Sequence, residues 1–315
     1  RLVRRIRKTG HAVDDLECAF NFAAALRASL RKMGWFTGVL EPTLKKYTDL
    51  VAIGTVADMA PLLDENRILV SYGLSTLEKG GRVGLSALKE AAGIKDGRLD
   101  SDAIAFKLAP RINAAGRLKE AAIAFRLLVT EDKAEAGSLA VTLDEENRKR
   151  QRLEEGILLE ALEMTGPVVA DKGIVLASGN WHQGVIGIVA SRLVERFSMP
   201  AVLISVSGAV GKGSARGVKS FDILEGLSEC APYLQGFGGH KAAAGLTIPA
   251  DKIDVFREKF IGYLNSRLTD EDLIPTIEMD AAVELRDVGM RLLSEIEMFH
   301  PFGVANRAPV FCTAG

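Results

Sequence analysis

Glycine, histidine and arginine meet in a few short stretches of this chain, and those stretches could do chemistry. Gly236-Phe237-Gly238-Gly239-His240 runs directly into Lys241-Ala242-Ala243-Ala244-Gly245. Glycine has no Cβ, so main-chain N–H groups can approach a bound group closely. Successive exposed N–H groups form a nest for anions, and His240 adds a donor that can carry charge. The stretch reads as a place to hold a phosphate; the same residues also fit a glycine-rich turn with a capping histidine. Gly211 to Gly217 places Lys212, Ser214 and Arg216 at alternating positions, hence on one face if the chain is extended. Pro110-Arg111-Ile112-Asn113-Ala114-Ala115-Gly116-Arg117-Leu118 sets two arginines and an asparagine among small residues. Arginine's planar fork suits phosphate oxygens, although a helix–helix corner with solvated arginines fits this stretch as well. Asp58 ends the apolar run Leu50 to Ala57. That run reads as a buried parallel strand with a carboxylate at its C-terminal end, where ligands of open α/β sheets bind. An N-cap or turn residue is the plainer reading of Asp58.

The elements that must position these residues follow from pattern. Helices are expected at Leu16–Trp35, Ile68–Leu77, Leu85–Ala92 and Ala103–Leu108, the last capped by Ser101. Thr130 is expected to cap a long helix reaching about Met164, stopped by Gly166-Pro167. Its ends are amphipathic: Ala136, Leu139, Ala140 and Leu143, then Leu153, Ile157, Leu158 and Leu162. Its middle, Asp144 to Arg152, is polar all round, with acid-first pairs Asp144/Arg148, Glu145/Lys149 and Glu146/Arg150. A helix of that kind bridges two domains across a solvated middle. Strands are expected at Gly173–Ala177, Ala201–Val206 and Ala243–Ile248, with Gly211–Gly217 a short strand or turn. Helices are expected at Val185–Phe197, Phe221–Ala231 and Asp251–Leu268, the last burying Ile253, Phe256, Phe260 and Leu264. The glycine–histidine stretch is expected to be a loop. Trp181-His182-Gln183-Gly184 opens the Val185 helix. The alternation argues α/β with a mixed or parallel sheet. Beyond Asp272 the pattern changes: Thr276–Val283 extended, Val288–Met298 helical, Pro301–Phe311 loop-like.

The 315 residues are 48% hydrophobic and 26% charged, an ordinary globular composition with length for two domains or slightly more. Net charge is −1, so nucleic-acid contact must come from a local patch. Cys18, Cys230 and Cys312 have neither zinc spacing nor a disulfide framework, which suits a reducing cytoplasm. His11, His182, His240 and His300 are scattered. No apolar run is long enough to span a bilayer, and no apolar core follows the basic start.

Several stretches, in order, resemble the RecJ family of single-strand-specific 5′→3′ DNA exonucleases, within the DHH phosphoesterase superfamily. They are Gly54-Thr55-Val56-Ala57-Asp58, Pro110 to Arg117, Trp181 to Arg192, Gly213-Ser214-Ala215-Arg216, Gly238-Gly239-His240 and Pro301-Phe302-Gly303-Val304-Ala305-Asn306. The resemblance implies two α/β lobes joined by a long bridging helix, with the start of an OB-fold region. The boundaries are 1–130 for a partial DHH catalytic domain, 131–166 for the connecting helix, 167–272 for a DHHA1 domain and 273–315 for the OB-fold start. It implies phosphodiester hydrolysis in DNA repair and recombination with Mn²⁺ or Mg²⁺ in a two-metal site, Asp58 being a ligand. Asp58, Arg111 and Asn113 are then the catalytic candidates. Arg117, His182, Lys212, Ser214, Arg216, Gly238, Gly239 and His240 are the substrate-binding candidates. Implied partners are single-stranded DNA and a single-strand-binding protein or helicase, with no membrane and a monomeric state.

The family's earlier acidic and Asp-His-His motifs have no match in Arg1 to Asp15, where His11, Asp14 and Asp15 have the wrong spacing. One carboxylate holds hard cations poorly, so the chain as given is expected to be inactive or part of the active enzyme. Two other functions fit the residues less fully: a DHH-type phosphodiesterase of short oligonucleotides or cyclic dinucleotides, and a non-catalytic single-strand-binding module.

Overall fold

The computed structural model describes residues 45–94, 99–118, 121–166 and 170–313. The expected Leu16–Trp35 helix, the acids and histidine of the first fifteen residues and Cys18 lie outside them. The described residues form two units. One comprises 45–115, 121–144 and 278–313; the other comprises 116–118 and 145–277.

The first unit is built on helices: α1 (Thr48–Ala57), α2 (Asp64–Glu78), α3 (Val83–Ala91), α4 (Ser101–Ala103), α5 (Ala109–Leu118), α6 (Ala122–Val129) and the first third of α7 (Lys133–Thr165). The run ending in Asp58 is therefore helical, not a strand. Its β-branched residues favour a strand locally, but it buries Asp49, Ala52 and Ile53 while Val51 and Gly54 stay exposed, the spacing of one helix face. Tight helix packing overrides the propensity: a Cβ on Gly73 of α2 would lie 2.4 Å from Ala52 Cβ. Buried Asp49 takes the Arg82 guanidinium as its partner, Nε to Oδ2 3.3 Å. Asp100, not Ser101, caps α4 by accepting from Ala103 N–H at 2.8 Å. A π-helical turn at Ile104–Leu108 joins α4 to α5, so Pro110 to Arg117 is helix and not a corner. The core is closed by Leu74, Leu85, Leu108, Leu127 and, from α7, Ala136, Ala140 and Leu143.

Residues 278–313 belong to this unit. They carry β6 (Ala281–Ala282), α11 (Met290–Glu297) and β7 (Phe311–Cys312), β6 and β7 pairing in parallel. Pro301 to Asn306 forms a turn closed by Gly303 and Asn306. It docks where Leu62 N–H donates to the Val304 carbonyl at 2.7 Å and Ser101 Oγ donates to the Phe302 carbonyl.

Asp132, rather than Thr130, caps α7, its Oδ1 accepting from the N–H groups of Ala134 (2.7 Å) and Glu135 (2.9 Å). The helix stops at Gly166, whose φ of +74° suits glycine. Its polar middle is solvated on one side, where Glu145, Arg148, Lys149, Gln151 and Arg152 are exposed, and buried on the other. Asp144, Glu146, Asn147 and, just beyond, Glu154 are buried, and guanidinium groups meet two of these acids: Arg111 at Asp144, Arg150 and Arg192 at Glu154.

The second unit is a mixed five-stranded sheet, order β1-β2-β3-β5-β4. The strands are β1 (Ile174–Ser178), β2 (Ala201–Ser207), β3 (Val210–Arg216), β4 (Gly236–His240) and β5 (Ala243–Pro249). Only β1 and β2 run parallel. Helix α8 (Ile186–Phe197) connects them, burying Ile186, Val189, Ala190 and Leu193 at helical spacing. It packs with Ile157 and Ala161 of α7 over Ile174, Ala201 and Leu203. Helices α9 (Ile223–Glu229) and α10 (Ile253–Arg267) cover the other face. The α10 stripe is the expected Ile253, Phe256, Phe260 and Leu264, packed with Val202, Ile204, Ala215, Leu246 and Ile248. The glycine–histidine stretch is β4, an edge strand exposed throughout, and not a loop. No described helix is long and apolar enough to cross a membrane.

Candidate nucleic-acid interface

The antiparallel register of β3, β5 and β4 lays side chains out in rows. Lys212 stands opposite Thr247, itself opposite Gly236; Ser214 opposite Gly245 and Gly238; Arg216 opposite Ala243 and His240. Directly paired residues share a face. This face therefore carries Lys212, Ser214, Arg216 and His240 among small residues, while Ala215, Ala244 and Leu246 point into the core on the other side. Helix α8 packs on β2 and β3. There, a Cβ on Gly187 would lie 2.8 Å from Arg216 Nη2 and 2.9 Å from Ser214 Oγ. Glycine at the first turn of α8 thus makes room for the guanidinium.

The result is an open groove of about 720 Å³, with Gly116, Arg117, Gln183, Gly184, Gly187, Lys212, Ser214, Arg216 and Thr247 on its walls. Arg216 Nη1 donates to Ser214 Oγ and to the Ala215 carbonyl, both at 2.8 Å. Lys212 Nζ donates to Thr247 Oγ1 at 2.8 Å. Arg117 Nη1 donates to the Gly184 carbonyl at 3.1 Å. A Cβ on Gly184 would sit 2.7 Å from the Arg117 carbonyl, so glycine permits that close approach. Burial first, and the Arg117 guanidinium second, pull the Arg216 pKa below the usual arginine value. Among the described residues neither arginine has a carboxylate partner.

Both groove-side histidines are oriented by the main chain. Gly184 N–H donates to His182 Nδ1 at 3.1 Å, and Ala242 N–H donates to His240 Nδ1 at 3.3 Å. Each Nδ1 is therefore the acceptor that the main chain holds. Gly239 has φ +155°, and a Cβ there would lie 2.3 Å from the Ala243 carbonyl. It is required by the β4–β5 turn itself, whereas Gly238 is open on the groove face.

The other predicted residues belong to the first unit. Arg111 is committed to structure: Nη2 meets Asp144 Oδ1 at 2.8 Å, Nε the same oxygen at 2.9 Å, and Nη1 the Lys107 carbonyl at 2.7 Å. Asn113 is exposed on α5, and Asp58 is exposed at the C-cap of α1. Among the described residues no group of three or more His, Cys, Asp or Glu side chains converges as a metal site. These residues alone do not fit the expected two-metal centre.

Sequence reading passes over Arg150, Arg192 and Glu154. Arg150 lies in the arginine run that reads as a solvated face, yet its side chain is 12% exposed and meets Glu154 Oε2 at 2.7 Å. Arg192 ends the Trp181–Arg192 stretch, where nothing local gives it a role. Arg150 and Arg192 lie far apart in the sequence and meet only through Glu154.

Residues 170–266 match the DHHA1 domain. The chain is 40% identical over 264 residues to the single-stranded-DNA-specific exonuclease RecJ of Bacillus subtilis, covering 83% of this chain and 34% of that protein. It is 37% identical over 313 residues to RecJ of Dickeya dadantii, covering 95% of this chain and 54% of that one. Among solved structures, RecJ of Thermus thermophilus in complex with Mn²⁺ superposes with TM-score 0.78 at 36% identity, over 85% of this chain and 40% of that one. The Mg²⁺ complex gives 0.77 at 35% identity, covering 85% and 41%. The chain spans about a third to a half of the length of these curated relatives. Sequence and fold together make this chain a relative of the RecJ exonucleases, with a DHHA1 domain at residues 170–266.

Proposed function

We propose that this chain is part of a metal-dependent 5′→3′ exonuclease that hydrolyses phosphodiester bonds of single-stranded DNA in repair and recombination, and that the groove on the second unit grips the strand by its phosphates. The observation that carries the reading is the sheet face beside the first turn of α8, where Lys212, Ser214 and Arg216 stand in one line beside Arg117. Gly238, Gly239 and His240 extend it on the edge strand, and His182 flanks it from the loop before α8. In this reading 1–130 is part of a DHH catalytic domain, 131–166 the connecting helix and 167–272 the DHHA1 domain. Assigning 273–315 to the start of an OB fold rests on the Pro301–Asn306 motif alone.

The RecJ structures with Mg²⁺ and Mn²⁺ support a divalent cation as cofactor; Asp58 as one ligand, with Arg111 and Asn113 near the reacting phosphate, rests on the sequence motifs alone. Such ions, when bound, activate water and steady the leaving oxygen. The described residues supply too few ligands to derive a cleavage step, and the chain by itself is proposed to bind strands better than it cuts them. A monomer acting beside a single-strand-binding protein or helicase in the cytoplasm completes the proposal.

The test is binding of a 5′-phosphorylated single-stranded oligonucleotide in EDTA across a salt series. Affinity should fall linearly with salt on logarithmic axes, with a slope of about −0.7 per phosphate neutralised. Arg216→Ala should weaken binding by roughly 1–3 kcal/mol, the scale of a charged hydrogen bond. Salt-independent binding, or unchanged affinity in Arg216→Ala, would refute the groove. Adding Mn²⁺ separates an enzyme, which releases mononucleotides, from a binding module, which does not.

A further inference from the structure

Strand β3 brings two cations to the groove and ties each to a different hydroxyl. Arg216 and Lys212 stand on one face of β3, both on the groove wall. Arg216 Nη1 donates to Ser214 Oγ of its own strand at 2.8 Å, whereas Lys212 Nζ donates to Thr247 Oγ1 of β5 at 2.8 Å. Ser214 and Lys212 occupy adjacent rows of the face, and Thr247 lies in the Lys212 row, one strand over. The two hydroxyls are therefore about 7 Å apart along the strands and about 5 Å across them. Gly245 and Gly238 continue the Ser214 row on β5 and β4. A Cβ on Gly245 would meet only the Gly213 carbonyl, at 3.9 Å, and one on Gly238 nothing within 4 Å. No side chain stands in that row beside Ser214, which leaves room for the sugar that links two phosphates. The Lys212 ammonium keeps unused N–H donors, and among the described residues it has no carboxylate partner.

We infer that the groove grips two successive phosphates of one strand separately, one at Arg117 and Arg216 and the next at Lys212, and that Thr247 is the positioning residue that aims the Lys212 ammonium. The inference rests on the groove gripping phosphates at all. A lysine stem is flexible and loses rotamer freedom when its head is fixed. The Thr247 hydroxyl, from the neighbouring strand, fixes part of that freedom before the ligand arrives. It does so without a negative charge, which would compete with the phosphate.

The experiment uses the full 315-residue chain in EDTA and two probes. Inorganic phosphate, titrated by phosphorus NMR, offers a single phosphate; a 5′-phosphorylated single-stranded oligonucleotide offers successive ones. Lys212→Met should lower oligonucleotide affinity about tenfold, the scale of one charged hydrogen bond. It should also reduce the salt slope by about 0.7, one phosphate. Thr247→Val keeps the charge and the β-branched shape, and should lower oligonucleotide affinity about threefold with the slope unchanged. Thr247→Ser, which keeps the hydroxyl, should restore it. In the Lys212→Met background Thr247→Val should have no further effect. Each variant should bind inorganic phosphate as the wild type does. Unchanged oligonucleotide affinity in Lys212→Met would overturn the second position. Loss of inorganic phosphate in the same variant would put both cations on one phosphate and overturn it too. A Thr247→Val effect that persists without Lys212 would overturn the positioning role. If Arg216→Ala weakens both probes while Lys212→Met weakens neither, the groove stands and the second position falls. If Arg216→Ala weakens neither, both fall together.

Discussion

Arg216 donates through Nη1 to Ser214 Oγ, two residues earlier on the same strand face, at 2.8 Å. The same nitrogen reaches the Ala215 carbonyl at 2.8 Å, so the fork is fixed by its own strand rather than by an acid. A guanidinium held by neutral acceptors keeps its full charge for a ligand, and little ordering entropy is lost when the ligand arrives.

Ser214→Ala removes one of those holds without removing charge. Oligonucleotide affinity should fall by about 1 kcal/mol, roughly fivefold, while the salt slope stays that of the wild type. A salt titration of both proteins reads this directly. A reduced slope would mean that Ser214 alters the number of phosphates neutralised.

Gly184→Ala would place a Cβ 2.7 Å from the Arg117 carbonyl and 3.1 Å from the His182 ring. The main chain carrying Arg117 has to move. The variant should lose roughly 1–3 kcal/mol of stability, the range for overpacking, and bind the oligonucleotide more weakly. Thermal melting and anisotropy measure the two effects separately.

Arg111 and Asp144 form a nearly buried pair, their side chains 15% and 10% exposed. Asp144→Ala should destabilise by about 3 kcal/mol, because it removes the carboxylate that the nearly buried Arg111 guanidinium meets. A double-mutant cycle in urea should return a coupling of roughly 1–3 kcal/mol. Additive effects would show that the pair contributes little, and would return Arg111 to the free phosphate contacts.

Gly238 and Gly239 are neighbours with opposite demands. A Cβ on Gly238 meets nothing within 4 Å, whereas on Gly239 it meets the Ala243 carbonyl at 2.3 Å with φ at +155°. Gly238→Ala should change stability by no more than about 0.5 kcal/mol. Gly239→Ala should cost about 2 kcal/mol or more from strain and overlap. Equal melting temperatures for the two variants would contradict the β4–β5 geometry.

The Cys230 thiol is pushed up to about 11, by burial first and the Glu229 carboxylate second. The thiolate is the reactive form, and at pH 8 roughly one molecule in a thousand carries it at such a value. Peptide mapping after alkylation of the native protein should find Cys230 unmodified and half-buried Cys312 labelled. A folded-state pKa above the unfolded one stabilises the fold below the ordinary thiol value of 9.0, and the contribution is lost as pH rises toward 11. Cys230→Ser should flatten that alkaline decline.

Much of the second unit is legible in local pattern. Alternation at Lys212, Ser214 and Arg216 puts them on one face of what reads as a short strand or turn and is β3; the spacing of Ile253, Phe256, Phe260 and Leu264 gives α10. Periodicity of 2 or 3.6 is a property of a few neighbouring residues, so it survives without knowledge of the rest. The glycine–histidine stretch reads as a loop because strand propensity disfavours glycine. It is a strand because β5 supplies every main-chain partner it has.

Other features were decided only by tertiary contact. The run before Asp58 has the residue types of a strand and became helix where Ala52 meets Gly73. The middle of α7 has the residue types of a solvated face, and one side of it became buried where Arg111 and Arg150 came up against its acids. The sequence alone determined which residues carry charge, which elements alternate, and the order of motifs shared with the RecJ relatives. Which charges end up paired and which stay free depends on partners tens of residues away, and only the folded sheet and helices bring those together.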